Sequence, residues 1–287
     1  MKYRWLLLFA FLTFCHSALA LNGKVITPAV DTPKDALIND LLQLALSKTT
    51  ACTIFTAYPE RLSTGRMTEQ IINGKLDVFW AGMSPSLEET LLPIRIPIFK
   101  GLIGHRIFVI KAGDEKKFSH ITTLQQLKQL TAGQGQFWGD TAILENAGLP
   151  VTKAVKGDNL WSMLDEKRFD YLALAIHEPW TELQRRSNLS LAVEQNILFI
   201  YPFAMYFYVS PKNTLLYEQI KTGMNIAIED GSYDELLFNS PMIKEALALA
   251  NVSSRRIIRI DNKTMHPNTP IHIKHYWFDP LAPLPSP

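Results

Sequence analysis

Two short segments, "GKLDVFWAG" at Gly74–Gly82 and "KRFDYLALA" at Lys167–Ala175, carry one pattern. Each places a basic residue, an apolar residue and an aspartate directly before an apolar strand. Asp77 and Asp170 thereby mark equivalent points in two similar half-units. The surroundings repeat as well. Ahead of Asp77 the pattern predicts a helix in "KDALINDLLQLALSK", a strand at Thr53–Tyr58 and a helix near Ser63–Asn73. Ahead of Asp170 it predicts helices in "TTLQQLKQL" and "DTAILENAG", the second closed by Gly148. Short strands in "TAGQG" and "VTKAV" and a short helix in "NLWSMLDEK" complete that half. Helices alternating with short apolar strands imply an α/β fold, and the doubled order implies two α/β lobes.

The first helix has its own start signal. Thr32 precedes Pro33, which suits a first helical position, and Asp35 stands three residues after Thr32 as one half of a capping box. Leu37, Ile38, Leu41 and Leu44 then share one apolar face.

Two apolar runs have no place inside either lobe, "HRIFVIKAG" from His105 and "FIYPFAMYFYVS" from Phe199. Two crossings let the chain leave lobe one, build lobe two and return, and the helical stretches "NTLLYEQIKTGMNIAIEDG" and "SYDELLFN" follow. The predicted organisation is a leader at 1–20, lobe one at 21–110, an inserted lobe two at 111–201, a return to lobe one at 202–250, and a C-terminal extension at 251–287. Hinges are expected at Lys111-Ala112 and Tyr201-Pro202, because proline fixes an abrupt turn and Ala112-Gly113 permits one. Within "IPIFKGLIGHRIFVI", Ile96–Ile110, the residues Lys100-Gly101 and Gly104-His105-Arg106 interrupt a run that otherwise reads as buried. Glycine weakens a strand and unpaired charge is not buried, so a functional loop is expected there as well.

The N-terminus reads as an export leader. Lys2 and Arg4 precede the apolar "WLLLFAFLTF", and Ala18-Leu19-Ala20 offers a cleavage site that would leave Leu21 first. The run is short for a bilayer span, and bulky Phe14 before Cys15 argues against lipid attachment; an uncleaved amphipathic anchor is the alternative. Removing residues 1–20 takes Lys2 and Arg4 from the 29 Lys+Arg, leaving 27 against 27 Asp+Glu. A neutral chain without a basic stripe excludes nucleic acid as a partner. Cys52, in "ACTIFTAY", reads as a buried strand thiol, and with no second cysteine in the mature chain no internal disulfide is expected.

These residues resemble the type II periplasmic solute-binding proteins, in the polar-amino-acid-binding branch known as family 3. "INGKLDVFWAGMSPS" resembles that family's turn, aspartate, strand and Gly-Met-Ser end. "IPIFKGLIGHRIFVI" resembles its first crossing, and "NTLLYEQIKTGMNIAIEDGSYDELL" its returning helix and closing turn. The likeness reaches about residue 245, and "RRIIRIDNKTMHPNTPIHIKHYWFDP" is an addition. The resemblance implies a two-lobed periplasmic-binding-protein-like α/β fold with two crossover strands. It further implies a periplasmic monomer without cofactor or catalysis, closing on a small polar molecule for a transporter or sensor.

Ligands of open α/β sheets sit beyond the carboxyl ends of strands, beside helix N-termini. With the resemblance, this places ligand contacts at Trp80 and Ser84 on lobe one, at Lys100, Gly101 and Arg106 on the first crossing, and at Trp138, Asp140, Thr141, His177 and Glu178 on lobe two. The structural alternatives are Asp140 as a plain helix cap, Trp138 as edge packing, Trp80 as core, and His177-Glu178 as a solvated turn. One departure stands out: Glu88 or Glu89 occupies the position where amino-acid-binding members carry a carboxylate-clamping arginine. Arg106, with Lys100 nearby, is expected to supply the positive end instead, while Arg95 reads as a structural ion pair. Tyr206 or Tyr208 is expected to reach the cleft. His272 and His275 would diverge if "IHIKH" is a strand, so no metal is expected. Two rival readings are a lyase-like enzyme using Glu178 and Glu88, and an interaction module that has lost its site.

Overall fold

The computed structural model describes residues 23–50 and 52–282. The leader, its cleavage site and Cys15 lie outside the described residues. Lobe one opens with β1 (Gly23–Thr27), α1 (Pro33–Ser47), β2 (Thr53–Ala57) and α2 (Thr64–Ile72). It continues through β3 (Val78–Gly82), α3 (Pro85–Thr90) and β4 (Leu92–Ile94). The chain then crosses in β5 (His105–Lys111). Lobe two contains α4 (Glu115–Ser119), α5 (Leu124–Leu127), β6 (Ala132–Gly135), α6 (Thr141–Asn146), β7 (Val151–Ala154) and α7 (Asn159–Asp165). It ends with β8 (Tyr171–Ala175), α8 (Pro179–Arg185), β9 (Leu191–Val193) and β10 (Ile197–Ile200). The return comprises β11 (Met205–Val209), α9 (Thr214–Glu229), α10 (Ser232–Asn239) and α11 (Pro241–Ala250), and the extension adds β12 (Arg256–Arg259).

The two aspartates do the same job. The Asp77 N–H donates to the Ile26 carbonyl at 3.0 Å, and the Ile26 N–H donates to Asp77 Oδ2 at 2.7 Å. This reciprocal pair joins the parallel β1–β2 ribbon to the antiparallel β3–β11–β4 group. In lobe two the Asp170 N–H donates to the Thr131 carbonyl at 2.8 Å, and the Thr131 N–H donates to Asp170 Oδ2 at 2.8 Å. There it sits where the parallel strands β6 and β8 start. A side-chain carboxylate supplies the acceptor that the strand start lacks, a charge-assisted bond contributing about 1.5–3 kcal/mol.

The lobe-two sheet runs β12-β10-β5-β8-β6-β7, with β9 also paired to β5. Helix α1 starts as its sequence predicts. Thr32 Oγ1 accepts the Asp35 N–H at 3.1 Å and donates to Asp35 Oδ2 at 2.6 Å. Ile38, Leu41, Leu42 and Ala45 are fully buried against α9 and α10. At Gly223 a Cβ would stand 1.8 Å from the Ala45 carbonyl, so α1 and α9 meet backbone to backbone.

The glycines of the first crossing have distinct reasons. At Gly104 a Cβ would lie 2.1 Å from the Tyr201 carbonyl, where outgoing and returning chains touch. Gly101 takes φ 73° and lies under the Trp277 ring.

Several expectations need correction. Cys52 is exposed rather than buried in its strand. The segment "IHIKH" is a turn leading into a short 3-10 helix at Lys274–Tyr276, not a strand. Tyr206 and Tyr208 are fully buried in lobe one between β3 and the tail, and neither reaches the cleft. The extension is no loose addition, because β12 pairs in parallel with β10 and so belongs to the lobe-two sheet.

Candidate functional site

Between the lobes lie two chambers of about 680 and 580 Å³, and Phe137, Gly139 and Phe203 line both. Phe203 divides them. Its ring lies 3.2 Å from where a Gly82 Cβ would stand and 3.5 Å from the corresponding point at Gly139. A side chain at Gly82 would press on the ring, whereas one at Gly139 would only touch it, so the ring is seated closely against lobe one. A groove of about 670 Å³ also runs between α1 and the α10–α11 pair, with Asp40 and Glu235 as its charged residues. It faces no second lobe.

In the larger chamber three segments bring one polar cluster together. Arg106 comes from β5, Asp140 precedes α6, and Tyr201 follows β10. Arg106 Nη2 lies 2.8 Å from Asp140 Oδ2, and the Tyr201 hydroxyl donates to the same oxygen at 3.0 Å. The guanidinium lies over the Tyr201 and Phe203 rings, 5.2 and 5.8 Å from their centroids. All three polar residues are nearly inaccessible. Burial by itself would lower the Arg106 pKa; Asp140, helped by Tyr201 and Glu178, outweighs it and raises the pKa. Burial likewise pushes the Tyr201 phenol up, so it remains a hydrogen donor. Arg106 therefore reaches the cleft already neutralised by a carboxylate.

Farther along the wall, Glu178 Oε2 accepts the Ala175 N–H at 2.7 Å and neighbours His177. Burial lowers the His177 pKa against the opposing pull of Glu178. Arg186 pairs with Glu182 and with Asp158 at 3.1 Å, and its guanidinium sits 4.3 Å above the Trp161 ring. Trp138 is 39% exposed and packs on Gly135, where a Cβ would come within 2.5 Å of the indole. The glycine in "GQG" is thus the floor beneath the chamber's tryptophan.

The residues expected at the ligand divide into three groups. Arg106, Trp138, Asp140, His177 and Glu178 line the larger chamber. Ser84 lines the smaller one and hydrogen-bonds Ser86 at 2.9 Å. The remaining four are turned to other work. Lys100 lies against Asp234 of α10 at 2.6 Å, and Gly101 faces Trp277 of the tail. Trp80 is core and donates its indole N–H to Asp35 at 3.1 Å. The Thr141 hydroxyl donates to the Gly135 carbonyl at 2.7 Å. Glu88 holds Arg95 at 2.6 Å, as the structural ion pair expected of Arg95.

Sequence reasoning missed Lys34 and Phe203. Lys34 lines the larger chamber from lobe one and makes no ion pair among the described residues. Its signal is its position: a cation in the first turn of a helix opposes the macrodipole, so α1 is not its reason for being there. Phe203 was hidden inside an aromatic run in which every residue reads alike.

No family model matches the chain, and no curated protein matches it. Solved structures do. A probable amino-acid ABC transporter extracellular-binding protein from Bacillus subtilis is similar at 14% identity and TM-score 0.56, with 77% of this chain and 98% of that one covered. A structure concerned with glutathione import through a cystine ABC importer of Streptococcus mutans is similar at 10% identity and TM-score 0.51, covering 77% and 95%. These likenesses establish the fold as that of two-lobed periplasmic binding proteins.

Proposed function

We propose that this chain is an exported solute-binding protein that captures a small polar molecule between its lobes and passes it on unchanged to a transporter or sensor. The sequence pattern puts the lobe boundary at 110/111, but β5 and β12 lie in the lobe-two sheet. Residues 21–104 and 202–250 would therefore form lobe one, and 105–201 with 255–260 lobe two, after cleavage behind Ala20. The observation that carries the reading is the convergence of Arg106, Asp140 and Lys34 on a single chamber walled by both lobes, with Tyr201 holding Asp140 from behind. A ligand in that chamber would touch both lobes at once.

The charge arrangement supports a ligand with two polar ends. Arg106 and Arg186 already hold carboxylates, which leaves Lys34 for an anionic or carbonyl group. Glu178 gives one carboxylate oxygen to the Ala175 N–H and has the other for an amine or hydroxyl. Trp138, Trp161 and Phe137 supply apolar walls between them. In this reading Arg106 and Asp140 order the chamber and Lys34 takes over from the family's clamp.

A thermal-shift screen of free amino acids, short peptides and biogenic amines tests it. A ligand present at a hundred times its Kd stabilises by about 2.7 kcal/mol, a readily measured rise in melting temperature. Lys34→Gln should weaken such a ligand about ten- to a hundredfold, since a charge-assisted bond contributes about 1.5–3 kcal/mol. Recovery of a chemically altered ligand would favour an enzyme, and a screen without any stabilising compound would sink the proposal.

A further inference from the structure

The chain passes between the lobes more often than capture requires. After α11 packs in lobe one, Asn251 turns the backbone at φ 45°. Arg255 then fastens it to the start of β10. Its buried guanidinium donates to the carbonyls of Ala250 and Glu194 at 2.6 Å and of Ile197 at 3.1 Å. β12 follows along β10, with Ile258 and Ile260 buried in the lobe-two core. The way back is anchored on the hinge itself. The Ile260 N–H donates to the Ile200 carbonyl at 3.0 Å, and Asn262 Nδ2 donates to the Pro202 carbonyl at 2.8 Å.

The end of the chain then seats on lobe one. The Trp277 ring covers Gly101 so closely that a Cβ there would lie 2.4 Å from it. The Phe278 N–H donates to the Lys100 carbonyl at 2.7 Å, and its ring lies 5.8 Å from that of Phe238 in α10. Tyr276 hydrogen-bonds Asn225 of α9. The side of the hinge is also fixed. Arg106 lines the chamber, whereas His105, its neighbour on β5, meets the Phe278 ring at 5.3 Å. Successive strand residues point to opposite faces, so the tail lies behind the hinge, away from the cleft.

We propose that residues 255–279 are a splint that fixes the angle between the lobes. Opening the cleft brings the backs of the lobes together. Trp277 and Phe278 stand there as the lobe-one wall of a cavity of about 470 Å³ whose other wall carries Arg259 and Ile260, so the cavity must close before the rings meet β12. Closing it further stretches the link between β12 and Tyr276. Motion is opposed in both senses, and ligand meets a cleft that is already shaped. The proposal goes beyond the binding reading and needs no ligand for its test.

Cys52 is exposed on lobe one, and Val155 is 69% exposed on lobe two. Spin labels on Cys52 and on Val155→Cys, with Cys15→Ser, report the interlobe distance by double electron–electron resonance. The parent should give one narrow distribution. Trp277→Ala with Phe278→Ala should broaden it and shift its mean. A second variant, with about six Gly/Ser residues inserted after exposed Pro267, keeps both footings and adds roughly 13 Å of reach. It should broaden the distribution in the same sense. Cooperative thermal unfolding certifies each variant as folded, and if the double substitution fails that check the insertion decides alone. Folded variants with the parent's mean and width overturn the splint.

Discussion

Replacing His105 by glutamine removes a buried titratable group while retaining an amide to donate to the Gly101 carbonyl. In the parent, His105 Nδ1 lies 3.1 Å from that carbonyl, which can only accept, so Nδ1 carries the proton of a neutral ring. Burial lowers its pKa from 6.5 to about 4; the Gly101 bond opposes this, Arg259 and Arg106 add to it, and Asp279 opposes it. Above pH 6.5 the ring is neutral in both folded and unfolded chains. Below that the unfolded chain takes up a proton that the native site refuses until about pH 4. Stability present at neutral pH is therefore lost as pH falls through this window, about 3 kcal/mol in full and most of it by pH 4.5. Urea unfolding at pH 7 and pH 4.5 measures it. Other groups titrate in parent and variant alike, so His105→Gln should lose about 2–3 kcal/mol less than the parent between the two. Equal losses would refute a neutral, buried His105.

Three further outcomes are expected. Gly223→Ala places a methyl 1.8 Å from a helix carbonyl, which should cost at least 1–3 kcal/mol by denaturant unfolding; a neutral result would mean that α1 and α9 can separate. Arg106→Met leaves the Asp140 carboxylate buried without its cation and should cost about 3–5 kcal/mol, most of it recovered on adding Asp140→Asn; additive losses would disprove the pairing. Asp77→Ala and Asp170→Ala should each cost about 1–3 kcal/mol by unsatisfying the Ile26 and Thr131 amides, and hydrogen exchange should quicken at those amides while others stay protected.

What could be read from the sequence was whatever depends on neighbours along the chain. Thr32 and Asp35 cap a helix from three residues apart, and Asp77 and Asp170 announce strands that begin at the next residue. The cleft's cations were not legible in this way, because whether a charge is free depends on distant residues. Lys100 looked available until Asp234 closed on it, and Arg106 until Asp140 did. Lys34 looked like ordinary helix surface and is the chamber cation without an ion pair among the described residues. The extension was illegible for the same reason. "RIIR" gives no hint that its partner is "ILFI", which precedes it by three helices and a strand.

That late partner has a consequence for how the protein is made. Until β12 arrives, β10 presents Ile197, Leu198, Phe199 and Ile200 along an open edge with unpaired amides. Four apolar residues on an unprotected edge are a template for pairing with another molecule. The hazard lasts through synthesis of α9, α10 and α11, which precede the covering strand. A chain clipped behind α11 would keep both chambers' walls and yet expose this edge permanently. Its failure would show as aggregation, with the chamber walls still intact.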